Sequence, residues 1–380
     1  MNYKNSTQDW KIPLYKVHVS PSDLKSVRDV LKRGTDWALG KEIIDLEKKL
    51  SQYVNCKYCL AFNSGTSAGH ALMIAMNLKK SEIIVPSFSF IATANWPLMV
   101  NAIPKFVDIE EETLGLDPNK IEQKITRKTK LIMPIHYAGL PCKIKEIKKI
   151  AVDNKIPVIE DAAESIGSSI RNKKIGSFGD ASVFSFAGNK VLTSGEGGAV
   201  VTNSKKLYEK LKLIRSHGRR INGNYFSSNK NPNYVELGYN WRMSSITAAL
   251  ALSQLNNIDF LLKKRKKNSK YLISKLKKIN EIKFHLPPNN YTHSYQLFSI
   301  ILKDKKTRNN LMNFLTSKKI MSKIFFSPIH TSKYFKAIFP NQNLPVTQKI
   351  SNTILSLPMY PDLTHSEMDF MIESIYEFFE

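Results

Sequence analysis

The feature that most constrains this chain is an alternation. Short β-branched apolar runs at 58–62, 82–86, 104–108, 130–135, 156–161, 181–186 and 198–202 are separated by segments such as 68–78 and 144–154, whose apolar residues recur at helical spacing. Strand–helix–strand alternation predicts an α/β fold with a mostly parallel, seven-stranded sheet covered on both faces. From about Ser245 the texture changes. Residues 246–258 and 261–279 read as long helices, the second heavily basic, followed by a Pro-Pro-Asn-Asn break at 287–290. Beyond it, 294–302, a helix over 306–317, 321–326 and a helix from about Ser366 predict a smaller C-terminal α+β domain. The expected division is 1–255 and 256–380.

A chain of 380 residues with 42% hydrophobic content can bury a large core. Residues 1–10 are polar and contain no apolar stretch of the signal-peptide kind, and no run approaches the ~20 residues that span a bilayer. The expectation is a soluble, cytoplasmic protein with no membrane partner. Three cysteines, Cys56, Cys59 and Cys142, fit a reducing compartment. Cys56 and Cys59 form a lone C-x-x-C without a second pair, so Cys59 reads as a buried strand thiol and no metal is expected. The net charge is +25, from 57 Lys and Arg against 32 Asp and Glu. Most of the excess is lysine scattered through helical segments, as at 263–267, which reads as a solvated basic face. With no zinc-finger spacing and no aromatic-basic RNA-binding pattern, a nucleic-acid partner is not expected.

Open α/β sheets bind ligands beyond the carboxyl ends of their strands, so the residues just after each run carry the argument. After the first comes Asn63-Ser64-Gly65-Thr66-Ser67, leading into a helix. Gly65 allows close backbone approach, and the hydroxyls and N–H groups at a helix start make a phosphate cradle; ordinary N-capping is the alternative. After the second, Phe88 and Phe90 offer rings to stack on a planar ligand or to pack in the core. His136, after the fourth, reads as a satisfied structural histidine. After the fifth comes Glu160-Asp161-Ala162-Ala163-Glu164: a carboxylate able to pair with a protonated ring nitrogen, or to cap a helix, and a small Ala163 that leaves room for a flat group. After the sixth comes Ser185-Phe186-Ala187-Gly188-Asn189-Lys190, then Gly195-Glu196-Gly197-Gly198. A lysine in a glycine-rich loop behind a core strand is placed for desolvation and covalent chemistry with a carbonyl, and Ser185 adds a hydroxyl for a phosphate. No P-loop, no G-x-G-x-x-G helix start, no G-x-S-x-G and no H-E-x-x-H is present.

A phosphate cradle, an aromatic, an acid, a small residue and a lysine together meet the needs of pyridoxal 5'-phosphate. The lysine holds the aldehyde, the acid keeps the pyridine nitrogen protonated, and hydroxyls and N–H groups hold the phosphate.

The ordered motifs Asn-Ser-Gly-Thr (63–66), Pro-Ser-Phe-Ser-Phe (86–90), Glu-Asp-Ala-Ala-Glu (160–164), Ser-Phe-Ala-Gly-Asn-Lys (185–190), Gly-Glu-Gly-Gly (195–198) and Gly-Tyr-Asn-Trp-Arg-Met (238–243) resemble those of the DegT/StrS-type sugar aminotransferases. The resemblance runs from about Ile12 to the Ser-Pro-Ile-His at 327–330 and implies the fold type I of pyridoxal-phosphate-dependent transferases. It further implies that Lys190 carries the cofactor and moves the proton, and that Asp161 pairs with the ring nitrogen. Gly65, Thr66 and Ser185 would bind the phosphate. Phe90 and Ala163 would sandwich the ring, and Glu164 would lie near the ring hydroxyl or the substrate. Asn240 would reach the phosphate in a neighbouring subunit, which implies a homodimer with shared active sites. The implied reaction is a ping-pong transfer from L-glutamate to a nucleotide-linked keto-sugar. The motif variants resemble those of enzymes that aminate C4 of 4-keto-6-deoxy sugars, perosamine synthases acting on GDP-4-keto-6-deoxymannose among them. Many relatives have another residue where Ala187 stands, which leaves His217, Arg219 and His330 as candidate substrate contacts. Their alternatives are a solvated loop for the first two and a core or loop histidine for the third.

Two other functions compete. Sugar dehydratases of the same fold carry histidine in place of the cofactor lysine, and Lys190 argues against one. A non-catalytic binding or regulatory relative is disfavoured by the full set at 65, 66, 161, 185 and 190.

Overall fold

The computed structural model describes residues 10–220, 229 and 231–380. Seven strands form the central sheet: β1 (Tyr58–Phe62), β2 (Glu82–Pro86), β3 (Ile103–Val107), β4 (Thr129–Ile132), β5 (Ile159–Asp161), β6 (Ala181–Ser185) and β7 (Gly198–Thr202). Their spatial order is β3-β2-β4-β5-β6-β7-β1. The ladders β3-β2-β4 and β5-β6 are parallel. Parallel bridges Ile132–Val158 and Ile135–Asp161 join the two halves across the β4–β5 seam. Only β7 runs against its neighbours, β6 and β1. The structure thus has the mostly parallel seven-stranded sheet expected from the alternation.

The apolar runs are nearly continuous because both faces of the sheet are covered. Cys59, Ala61, Ile84, Phe184, Ala199 and Val201 point into one core, shared with helices Lys41–Val54, Ile144–Asp153 and Ser245–Asn256. Their alternates Leu60, Phe62, Ile83, Val85, Val183 and Val200 point into the other, with Gly65–Ala75 and Lys205–Arg215. Period-two alternation with apolar residues at both phases is the pattern of a strand buried on both sides.

The C-terminal part adds an antiparallel sheet: β8 (Lys283–Phe284), β9 (Phe298–Ile301) and β10 (Ile354–Leu357). Helices Ile258–Leu276, Lys305–Ser317 and His365–Phe379 pack with it around Leu272, Ile300, Leu311, Leu355 and Met371. Ile12 is fully buried in this same core and bridges Ile320, with Met321 N–H donating to Ile12 C=O at 2.9 Å. The N-terminal segment therefore crosses from one part of the chain to the other. Among the described residues, no helix is long and apolar enough to cross a membrane.

Candidate active site

The carboxyl ends of β1, β5 and β6 open on one cavity of about 600 Å³. Gly65, Thr66, Phe90, Asp161, Ala163, Glu164, Ser185 and Lys190, drawn from four separate motifs, all line it. Its far wall comes from Leu14 and Tyr15 and from Met321, Lys323, Phe325 and Phe326 of the C-terminal part.

Lys190 Nζ lies 3.5 Å from Glu164 Oε1, and both side chains are largely withdrawn from solvent, at 14% and 5% exposure. The other Glu164 oxygen accepts the Ala138 N–H at 2.8 Å. Asp161 is buried at the end of β5. Its Oδ2 accepts the Thr93 hydroxyl at 2.7 Å and its Oδ1 the Ala163 N–H at 3.2 Å. Thr93 in turn pairs with the Ser89 hydroxyl at 2.7 Å. Since Thr93 donates to the carboxylate, Ser89 is the donor of that pair. Burial pushes the Asp161 carboxyl above the usual carboxylate range, against the opposing pull of Thr93, the Ala163 N–H and the Lys190 charge. Among the described residues no ion pair reaches Asp161, while Lys190 pairs with Glu164. A cationic ring N–H at this oxygen would supply the missing positive charge.

The other end of the cavity is the start of helix Gly65–Ala75. Ser64 caps it, accepting the Ser67 N–H at 3.0 Å with its side chain and the Ala68 N–H at 3.1 Å with its carbonyl. The Gly65 and Thr66 N–H groups precede these at the open end, where helix amides lack intrahelical partners. Gly198 stands between Phe62 and Ser185 in one row across the sheet. A Cβ there would meet the Gly65 nitrogen at 2.5 Å, and one on Gly65 would meet the Ser185 Cβ at 3.1 Å. Only two bare backbones let the helix start sit this close to Ser185. Trp96 fixes it from behind, donating from its indole to Thr66 C=O at 2.9 Å with its ring over Gly69. A buried carboxylate without a fixed cation, an open helix start beside a hydroxyl, and a lysine in the same cavity fit pyridoxal phosphate.

Phe90 is 58% exposed at the rim, with its ring centroid 6.3 Å from that of Phe326. The remaining candidates do not line the cavity. Asn240 is exposed on an edge segment that bridges Ser216. His217 is exposed on the same edge, and the Arg219 guanidinium donates to the Ser216 hydroxyl at 2.9 Å. His330 is buried, hydrogen-bonded through Nδ1 to the Ser87 hydroxyl at 2.7 Å. His136 is fully buried: its Nδ1 accepts the Cys142 N–H at 3.1 Å, so its proton sits on Nε2 and is donated to Glu160 at 3.1 Å. Burial alone would raise the Glu160 carboxyl, but His136 and the Gly176 and Gly179 N–H groups outweigh it and hold it below the usual range. Glu160 and His136 are a satisfied structural pair behind the site.

Sequence reasoning missed Thr93, Trp96, Lys323, Phe325 and Phe326. Thr93 follows Phe90 by three residues, a spacing that offers no cue, because what matters is its reach across 68 positions to Asp161. Lys323 and the two phenylalanines come from a segment held to β10, where Lys323 N–H donates to Ser356 C=O at 3.0 Å.

The sequence model of the DegT/DnrJ/EryC1/StrS aminotransferase family matches residues 18–376. The GDP-perosamine synthase of Escherichia coli O157:H7 is 34% identical over 371 residues, covering 97% of this chain and 98% of that one. The GDP-perosamine synthase of Vibrio cholerae is 31% identical over 371 residues, covering 97% and 99%. Among solved structures, Helicobacter pylori PseC, an aminotransferase involved in the biosynthesis of pseudoaminic acid, superimposes with a TM-score of 0.90 at 28% identity, over 97% of this chain and 99% of that one.

Proposed function

The chain belongs to the DegT/DnrJ/EryC1/StrS aminotransferase family, and from that membership we propose that it transfers the amino group of L-glutamate to the C4 keto group of a GDP-linked 4-keto-6-deoxy sugar, GDP-4-keto-6-deoxymannose being the foremost candidate. It is a nucleotide-sugar aminotransferase with pyridoxal phosphate as its cofactor. The sugar, the nucleotide and the donor are the proposed part. They are supported by two relatives that are GDP-perosamine synthases. The observation that carries the reading is one cavity holding the Lys190 amine 3.5 Å from Glu164 together with the buried Asp161 carboxylate.

When bound, pyridoxal phosphate supplies an electron sink for the carbanion left at the donor's α-carbon. Lys190 Nζ anchors the cofactor, takes the α-proton of the donor and returns a proton in the reverse sense to the sugar carbon. Asp161 holds the ring nitrogen's proton. The Gly65 and Thr66 N–H groups with Ser185 Oγ bind the phosphate. Phe90 and Ala163 bound the ring, and Glu164 orients the Lys190 ammonium. Asn240 serves a second protomer's site, a role its exposed edge position supports. The +25 net charge favours long-range capture of a nucleoside diphosphate.

Incubation with L-glutamate and a panel of nucleotide keto-sugars should release 2-oxoglutarate, fastest with the GDP-linked 4-keto-6-deoxy sugar. Release only with a sugar on another nucleotide, or keto at another carbon, would overturn the substrate assignment while leaving the family intact. The Thr93 hydroxyl gives a separate prediction. Thr93→Val keeps the shape but removes one donor from a buried carboxylate, worth about 1.5–3 kcal/mol. Cofactor affinity should fall on the order of tenfold or more, and Thr93→Ser should restore it, as read by cofactor titration.

A further inference from the structure

Gln296 lies outside the cavity, in the stretch that enters β9, and is buried at 3% exposure. Its side-chain amide spans the peptide frame of Lys190. Nε2 donates to Asn189 C=O at 2.7 Å, and Oε1 accepts the Val191 N–H at 2.7 Å. A carbonyl on one side and an N–H on the other allow the amide only this orientation. The Lys190 N–H is itself taken by Ala187 C=O at 3.0 Å.

The same stretch also holds the lysine's partner. Ser294 N–H donates to Gly139 C=O at 3.1 Å and Leu297 N–H to Ala138 C=O at 3.2 Å, while Ala138 N–H donates to Glu164 Oε2. Behind it stands Arg265, 2% exposed, whose Nη1 donates to Tyr295 C=O and Met359 C=O, each at 3.0 Å. Arg265 lies on helix Ile258–Leu276 of the C-terminal part. Both members of the Lys190–Glu164 pair are thus tied to one buried strut.

We propose that Gln296 is a positioning residue: by bracketing the backbone on either side of Lys190 it sets where the amine stands relative to Glu164 and to the carbon whose proton it moves. The catalytic lysine is held by the C-terminal layer as well as by the sheet behind it. This rests on the assignment of Lys190 as the cofactor lysine.

The test uses the full-length holoenzyme. Gln296→Leu removes both hydrogen bonds at similar volume. It should lower kcat for the glutamate half-reaction about 10- to 100-fold, the scale of a misplacement of roughly 1 Å. KM should change little, and the pH at which the lysine-bound cofactor absorbance changes should shift. Gln296→Glu supplies a readout that a merely structural role would not move. Ionised, the new carboxylate still accepts from Val191 N–H but repels Asn189 C=O; protonated, it makes both bonds. Its rate relative to wild type at the same pH should therefore recover as pH falls through about 9 to 6, where a buried carboxyl takes up its proton. The Gln296→Glu variant carries the test if the leucine variant does not accumulate. A wild-type absorbance titration in Gln296→Leu, or a flat relative rate in Gln296→Glu, overturns the proposal. Persistence of lysine-bound cofactor in Lys190→Ala would instead overturn the reading beneath it.

Discussion

Replacing Lys190 with alanine is expected to remove the lysine-bound cofactor absorbance and to lower transamination at least about 10³-fold, within the range that a positioned general acid–base group contributes. The loss should come from chemistry, since among the described residues the side chain makes one ion pair, with Glu164, and that carboxylate keeps the Ala138 N–H as a donor. Stability should change by about 1 kcal/mol. The cavity has a second lysine, Lys323, whose amine stands 5.3 Å above the Phe325 ring. Borohydride reduction followed by peptide mapping separates the two: the adduct should fall on Lys190 and vanish in the variant. Turnover near wild type, or an adduct on Lys323, would remove Lys190 from the mechanism.

Asp161→Ala should weaken cofactor binding by about 2–5 kcal/mol, the cost of truncating one partner of a buried, hydrogen-bonded charge pair. That is roughly thirty- to several-thousand-fold in affinity. Activity should be nearly abolished even at saturating cofactor. Wild-type kinetics would count against the ring-nitrogen role. A contrast with Asp161→Asn sharpens the test. In the cofactor-free protein, burial raises this carboxyl's pKa above its unfolded value. The folded state then holds its proton more tightly than the unfolded state, so the group's stabilising contribution is present at low pH and is lost as pH rises through the raised value. At neutral pH, above the unfolded value, the buried Asp161 carboxyl is therefore a burden to the cofactor-free fold. Asp161→Asn, whose amide can accept from the Ala163 N–H and donate to Thr93, should raise the Tm of the cofactor-free protein at pH 7. The advantage should disappear in acid, and cofactor should stabilise the variant less than it stabilises wild type.

The parts of the site nearest the sheet were legible because strand ends advertise themselves. Asp161 and Ser185 end β5 and β6, Gly65 opens the helix after β1, and Lys190 follows β6 within five residues. A reader who finds the strands finds these residues. Long-range partners carry no such mark. Thr93 is an ordinary threonine on helix Ala92–Met99 until the fold brings it to Asp161. Gln296, Lys323 and Phe326 depend on how the C-terminal layer docks, which no local spacing encodes. His330 shows the converse, a histidine in a suggestive motif that the fold seats against Ser87 and away from the cavity lining. The expected division near residue 255 had no means of foreseeing Ile12, because one isoleucine in a short N-terminal segment carries no periodicity to reveal which core it enters.

The crossing of bare backbones at Gly198 and Gly65 limits how such a protein can diversify. Any side chain at 198 would drive the helix start off the sheet and disturb the floor proposed to bind the phosphate, so that floor has little room to vary. Tyr15, Lys323 and Phe325 meet no such steric veto on the opposite wall. A lineage, or a laboratory selection, seeking a new sugar would have to rebuild that wall while inheriting the floor unchanged.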